Sequence, residues 1–312
     1  MIALKIIFMG TPDFAAVSLE ALLSSSHQVL AVVSQPDKPV GRGKKIKLSP
    51  VKEKAIAANI PVLQPEKAKD PGFIEKLKEF QADIFVVAAY GKILPEAILN
   101  LPPYGCVNVH GSLLPKYRGA APIQWAIING EEKTGVTIMQ MNKGMDTGDM
   151  ILKRELPIQQ SDTGGSLYDK MAALGAEALL SALQSIEEGA FVREKQDDSM
   201  ATYAPMLTKE TGHIDWSRNS KDIVNLIRGL NPWPAAYTLY EGEPLKIWEG
   251  EALSQKAQGA PGQILSANKN GILTATGDGA ILLTRIQARG GKAMAAADYL
   301  RGHTIEEGRL FS

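Results

Sequence analysis

Residues 4–9 (Leu-Lys-Ile-Ile-Phe-Met) and 83–89 (Asp-Ile-Phe-Val-Val-Ala-Ala) lack the polar–apolar alternation of a strand with one wet face. A strand buried on both faces needs helices packed above and below it. That requirement restricts the chain to a largely parallel α/β sheet. The intervening pattern agrees: Gly10-Thr11-Pro12-Asp13 turns into a helical stretch over 14–24, and residues 29–34 form a second strand. Helices are expected over 50–58 and 70–80, with a short extended piece at 62–63. Residues 107–110 form the next strand and a helix follows over 120–129. Strand and helix alternating in this way imply parallel neighbours joined by crossovers. Residues 134–141 and 150–155 show period-two alternation and are expected as later, antiparallel strands. A long Ala- and Leu-rich helix spans 164–189.

Beyond Gly189 the character changes. The polar, poorly periodic run 193–205 suits a linker, followed by one helix (219–229) and short strands at 236–240, 244–249, 261–266, 271–276 and 280–287. Several short strands separated by turns such as Gly277-Asp278-Gly279 read as a small OB-like β-barrel. The expected organisation is a Rossmann-like domain over 1–189, a linker over 190–208 and an OB-like domain over 209–312.

The 312 residues carry no net charge at neutral pH, which argues against a surface coated in cations for binding DNA at large. The single cysteine, Cys106, excludes an intramolecular disulfide and fits a reducing compartment. It lies on an apolar strand, where a buried inert thiol is the expected state. No apolar run approaches about 18 residues, so no membrane span is expected. The first residues read as a buried strand rather than a signal peptide, and a cytoplasmic location is expected. Gly10-Thr11-Pro12 lacks the full Gly-x-Gly-x-x-Gly, and Pro12 removes a backbone donor, so a tight turn is expected there and not a dinucleotide site. The four histidines are scattered, and with one cysteine no metal centre is expected.

The segment 105–119, Gly-Cys-Val-Asn-Val-His-Gly-Ser-Leu-Leu-Pro-Lys-Tyr-Arg-Gly, carries the chemistry. Residues two apart on a strand share a face, so Asn108 and His110 project together just before a loop broken by Gly111 and Pro115. An amide donor beside a titratable imidazole suits acyl-type transfer, in which a proton moves while a carbonyl oxygen becomes negative. Asp146, in Asn-Lys-Gly-Met-Asp-Thr-Gly-Asp, is the best candidate for the carboxylate partner. The same spacing also fits a strand-end histidine that caps a turn, with an acidic Gly turn of no chemical role.

A second signal is the run from Lys38 to Lys54, with seven cations against one acid, Glu53. Glycine and proline keep its front half irregular, and a flexible cationic loop can follow a phosphate backbone. A solvated surface loop is the plainer alternative. Its place after the second strand favours the functional reading, because the carboxyl ends of parallel strands border the active crevice.

Taken together, Phe-Met-Gly-Thr-Pro-Asp-Phe, Gln-Pro-Asp-Lys-Pro-Val-Gly-Arg-Gly, Asn-Val-His-Gly-Ser-Leu-Leu-Pro-Lys-Tyr-Arg-Gly-Ala-Ala-Pro-Ile-Gln, Met-Asp-Thr-Gly-Asp and Leu-Asn-Pro-Trp-Pro-Ala-Ala-Tyr resemble the bacterial methionyl-tRNA formyltransferase family over essentially the whole chain. The resemblance implies formyl transfer from 10-formyltetrahydrofolate to the α-amino group of methionyl initiator tRNA. It places the catalytic residues at Asn108, His110 and Asp146, and a folate-contacting segment at Ser112, Leu113, Leu114 and Pro115. Acceptor-stem contacts would come from Arg42 above all, with Lys38, Lys44, Lys45 and Lys47. In the C-terminal domain only the cluster Arg285, Arg289, Lys292, Arg301 and Arg309 offers a basic patch. No metal is required, and action as a monomer is expected. The alternative is a formyltransferase for a small amine, a glycinamide ribonucleotide or an amino sugar nucleotide; the basic loop and extra domain argue against it.

Overall fold

The computed structural model describes residues 3–40, 45–253 and 258–312, with residues 40, 45 and 46 described by their backbone alone. They form two compact units: Met1–Gly119 with Thr134–Leu156 and Tyr168–Ala204, and Ala120–Lys133 with Pro157–Leu167 and Pro205–Ser312.

The first unit holds a seven-stranded sheet ordered Met150–Pro157, Lys133–Gln140, Cys106–His110, Ile84–Ala88, Lys5–Gly10, Gln28–Val33, Val62–Leu63. The strands from Cys106–His110 to Val62–Leu63 are parallel. Lys133–Gln140 runs antiparallel to Cys106–His110, as expected, but residues 134–139 are all buried rather than alternating, because this strand lies inside the sheet. Local chemistry starts the helices where the sequence turns. Ser49 and Asp70 accept hydrogen bonds from the amides of Lys52 and Phe73, and Pro50 and Pro71 open the helices Pro50–Ala57 and Pro71–Glu79.

From Lys5–Gly10 the chain moves outward to Gln28–Val33 and Val62–Leu63, then returns to the opposite side with Ile84–Ala88. Such a reversal opens a crevice at the carboxyl ends of the two central strands. The first turn passes close by: a Cβ on Gly10 would lie 2.9 Å from the Ala88 carbonyl oxygen and 2.6 Å from the Ala15 Cβ. Only glycine allows that approach. The turn feeds the helix Asp13–Leu23, the role expected of it.

The basic run forms a short antiparallel hairpin, Lys38–Val40 with Lys45–Lys47, where an irregular loop was expected. Val40 and Ile46 supply the β-branched residues that favour extended pairing, with Pro39 opposite Ile46.

The second unit holds an antiparallel sheet ordered Ala236–Tyr240, Glu243–Leu253, Ala280–Ala288, Gly271–Ala275, Ile264–Asn268, with Met294–Ala295 paired to Ala280–Ala288. Its inner face and the helix Ser220–Gly229 bury Ile223, Leu226, Ile247, Ile272, Ile281 and Leu283. Trp216 stacks on Phe311 at 5.6 Å. Among the described residues the end strands Ala236–Tyr240 and Ile264–Asn268 are not paired with each other, so the sheet is antiparallel but not closed. Among the described residues no helix is long and apolar enough to cross a membrane.

Candidate active site

The strand Cys106–His110 carries its apolar residues into the sheet and ends at the carboxyl edge. Cys106, Val107 and Val109 are buried, and Cys106 has no exposed surface. Burial pushes its thiol up to about 12, which suits an inert core residue.

The antiparallel neighbour sets Asn108 opposite Met139 and His110 opposite Thr137. Asn108 is half-buried, and its side chain makes no hydrogen bond among the described residues, so its amide is free to meet a ligand. His110 is only 6% exposed. Its Nε2 lies 3.0 Å from the carbonyl oxygen of Tyr117. Its Nδ1 faces Asp146 Oδ2 at 3.7 Å, an ion-pair separation beyond hydrogen-bond reach. Asp146 Oδ2 is instead held by the backbone N–H of Gly119, at 2.8 Å. Asp146 sits in a left-handed backbone conformation (φ 54°), an uncommon state for a residue with a side chain. His110 and Asp146 are thus brought together without a direct hydrogen bond, and Asn108 lies two residues before His110 on the same strand.

The segment after His110 is tightly built. Ser112 is fully buried, and its hydroxyl donates to the Lys116 carbonyl at 2.6 Å. Thr137 donates its hydroxyl to the Ser112 carbonyl and accepts from the Leu114 amide. Leu114 packs with Met139 and Met150, whereas Leu113 and Pro115 are half-buried. Of the four residues assigned to folate, Leu113 and Pro115 therefore retain accessible side-chain surface, and Ser112 and Leu114 shape the loop from within.

Sequence reasoning missed Tyr117 and Gly119 as functional positions. Both act through backbone atoms, which leave no side-chain signal, although both lie inside the segment already singled out.

In the basic hairpin, Lys38 and Lys47 are directly opposite and exposed. Like charges placed so repel, and an anion between them relieves the repulsion. Lys45 contributes backbone to the hairpin; Arg42 and Lys44 lie outside the described residues. The base of the hairpin is braced by polar contacts. Lys52 Nζ donates to Asp37 and Gln64, Gln64 Nε2 donates to Asp37 Oδ1 and the Gln35 carbonyl, and Gln35 Nε2 donates to the Tyr90 carbonyl. The Lys52 ammonium and the Gln64 amide hold the Asp37 carboxyl below the usual carboxylate range, against a smaller opposing effect of burial.

The C-terminal arginine cluster is largely neutralised: Arg285 faces Glu249, Arg289 pairs with Glu243, Arg301 with Asp298, and Arg309 with Glu306 and Glu241. Trp233 is 58% exposed. Trp125 is half-buried and donates its indole N–H to the Pro205 carbonyl. Among the described residues no group of three His, Cys, Asp or Glu side chains is placed to hold a metal ion.

A family model described as Formyl transferase matches residues 4–183, and one described as Formyl transferase, C-terminal domain, matches 206–304. The methionyl-tRNA formyltransferase of Caldanaerobacter subterraneus subsp. tengcongensis is 53% identical over 308 residues, covering 98% of this chain and 99% of its own. That of Acetivibrio thermocellus is 51% identical over 308 residues, with the same coverage. The solved N-formyltransferase of Helicobacter canadensis, in complex with folinic acid and dTDP-3-aminofucose, has the same fold. It superimposes with a TM-score of 0.69 at 22% identity, over 90% of this chain and 99% of that one. With both formyl-transferase models matched and relatives about half identical from end to end, the chain belongs to the methionyl-tRNA formyltransferase family.

Proposed function

We propose that this chain transfers the formyl group of 10-formyltetrahydrofolate to the α-amino group of methionyl initiator tRNA, for use in translation initiation. The observation that carries the reading is the Asn108 amide, without a hydrogen-bond partner among the described residues, two positions before a buried His110 whose second nitrogen faces Asp146.

The transfer forms a bond between the amine nitrogen and the formyl carbon and breaks the bond from that carbon to folate N10. The formyl oxygen becomes negative as its carbon becomes tetrahedral, and Asn108 donates a side-chain N–H to it. The amine loses one proton, and N10 gains one as it leaves. His110 carries that proton. A carbonyl oxygen only accepts, so the Nε2 beside Tyr117 bears hydrogen throughout, and the exchanged proton moves through Nδ1. Asp146, across from Nδ1, stabilises the imidazolium while Nδ1 is protonated. Leu113 and Pro115 offer apolar surface to the flat folate ring, over a loop shaped by Ser112 and Leu114.

Lys38 and Lys47, with Lys44, Lys45 and Arg42, supply phosphate contacts to the acceptor stem. The exposed like-charged pair supports this reading. Residues 1–189 form the catalytic domain, 190–208 the connection and 209–312 an OB-like domain that adds RNA contacts; the run of short antiparallel strands supports the last assignment. The protein acts in the cytoplasm, and as a monomer, since one chain supplies Asn108, His110 and Asp146.

The test is formylation of methionyl initiator tRNA against glycinamide ribonucleotide and amino sugar nucleotides at equal folate. Transfer to the charged tRNA alone is expected; transfer to small amines alone contradicts the assignment.

A further inference from the structure

Gln196 lies in a stretch whose composition resembles a linker, yet it contacts both segments that flank His110. Its Nε2 donates to the carbonyl oxygens of Asp146 and Gly148, each at 2.8 Å. Its Oε1 accepts from Arg118 Nε at 3.0 Å and Nη2 at 2.8 Å. A side-chain amide has two N–H donors and one oxygen with two lone pairs, so every capacity is used. The orientation is thereby determined. A flipped amide would set its oxygen against two carbonyls and its NH₂ against a guanidinium.

Arg118 is 3% exposed and also pairs with Asp198 at 2.6 Å. It stands between Tyr117, whose carbonyl meets His110 Nε2, and Gly119, whose N–H holds Asp146 Oδ2. Backbone pairing delivers Gln196 to this place. Glu194 exchanges hydrogen bonds with Met150, and Tyr203–Ala204 runs parallel to Arg118–Gly119.

We infer that Gln196 is a positioning residue, which sets the Asp146 turn against His110 by tying its carbonyls to the Arg118 segment. The left-handed backbone at Asp146 makes such a tie necessary, because that conformation persists only where its surroundings impose it. The inference rests on His110 and Asp146 acting in the transfer.

The test compares Gln196→Glu and Gln196→Met with wild type in the full chain, by kcat, KM for both substrates, and Tm. Glutamate keeps the bonds to Arg118 and turns an acceptor toward two carbonyls; methionine fills the space with neither contact. Both variants are expected to unfold cooperatively and to lose about 10- to 100-fold in kcat, with either KM changed by less than about threefold, the pattern of a misplaced catalytic group. In a His110→Ala background, Gln196→Glu is expected to cost less than about twofold further. An effect exerted through His110 disappears with it, whereas a purely structural one multiplies.

Wild-type kcat in either folded variant, a change confined to KM, or multiplicative losses in the double variant would overturn the inference. So would loss of cooperative unfolding in both single variants. If His110→Ala itself keeps the wild-type rate, the reading of the site fails instead.

Discussion

His110 Nε2 lies 3.0 Å from the Tyr117 carbonyl oxygen, and this contact, closer than any to Asp146, sets the direction of the imidazole ring. Tyr117 adopts a left-handed backbone (φ 60°) in the loop that turns back toward the strand end. The tautomer follows from the acceptor-only chemistry of a carbonyl. It leaves Nδ1, 3.7 Å from Asp146, as the nitrogen proposed to exchange the proton.

Asn108→Ala removes the side-chain donor proposed for the developing oxyanion. Loss of such a donor typically lowers kcat by about 10²–10³. Steady-state kinetics should show this fall with little change in KM for folate, because the oxyanion exists only in the transition state.

Gly119→Ala should damage stability and activity together. Gly119 has φ 118°, its N–H holds Asp146, and an added Cβ would lie 2.7 Å from the Ala204 carbonyl oxygen. Strain of this kind costs about 1–3 kcal/mol. Denaturant unfolding should show it, and kcat should fall beyond the loss of folded protein.

Cys106 should resist thiol reagents in the native state. It has no exposed surface and its thiol is pushed up to about 12, so at pH 8 almost none is thiolate. Modification by a disulfide reagent should proceed at the rate of opening and become fast in denaturant. Rapid native labelling would contradict the placement.

Asp37→Asn should destabilise the protein at neutral pH. The carboxyl is held below its usual range, so its contribution is complete above the ordinary aspartate value of about 3.9 and is lost as pH falls through the lower folded-state value. Unfolding curves of wild type and variant should therefore differ by a constant amount above about pH 5 and converge in acid.

The mostly parallel class and nearly all long helices of the first unit are legible in the sequence, because both-face burial of 4–9 and 83–89 leaves few alternatives; the strand order is not, since no local signal says which strands pair. Period two puts Asn108 and His110 on one face, but that spacing alone fits a capped turn equally well, and only the neighbouring motifs favour chemistry. Asp146 follows from the need for a carboxylate and from the family resemblance of Met-Asp-Thr-Gly-Asp, since periodicity does not mark a residue on a separate segment. The short hairpin at Lys38–Lys47 escapes detection because its strands are three residues each. The exposure of Trp233 escapes because aromatic identity alone favours burial. Gln196 escapes because its four hydrogen bonds are all long-range, while its neighbours are polar enough to read as a solvated linker.

The most direct test is the single-turnover rate of formyl transfer from 10-formyltetrahydrofolate to methionyl initiator tRNA by His110→Ala, with both substrates saturating. Loss of the proposed proton carrier predicts a fall of about 10²–10⁴ while folate and tRNA still bind. A His110→Ala protein that transfers at the wild-type rate would contradict the account.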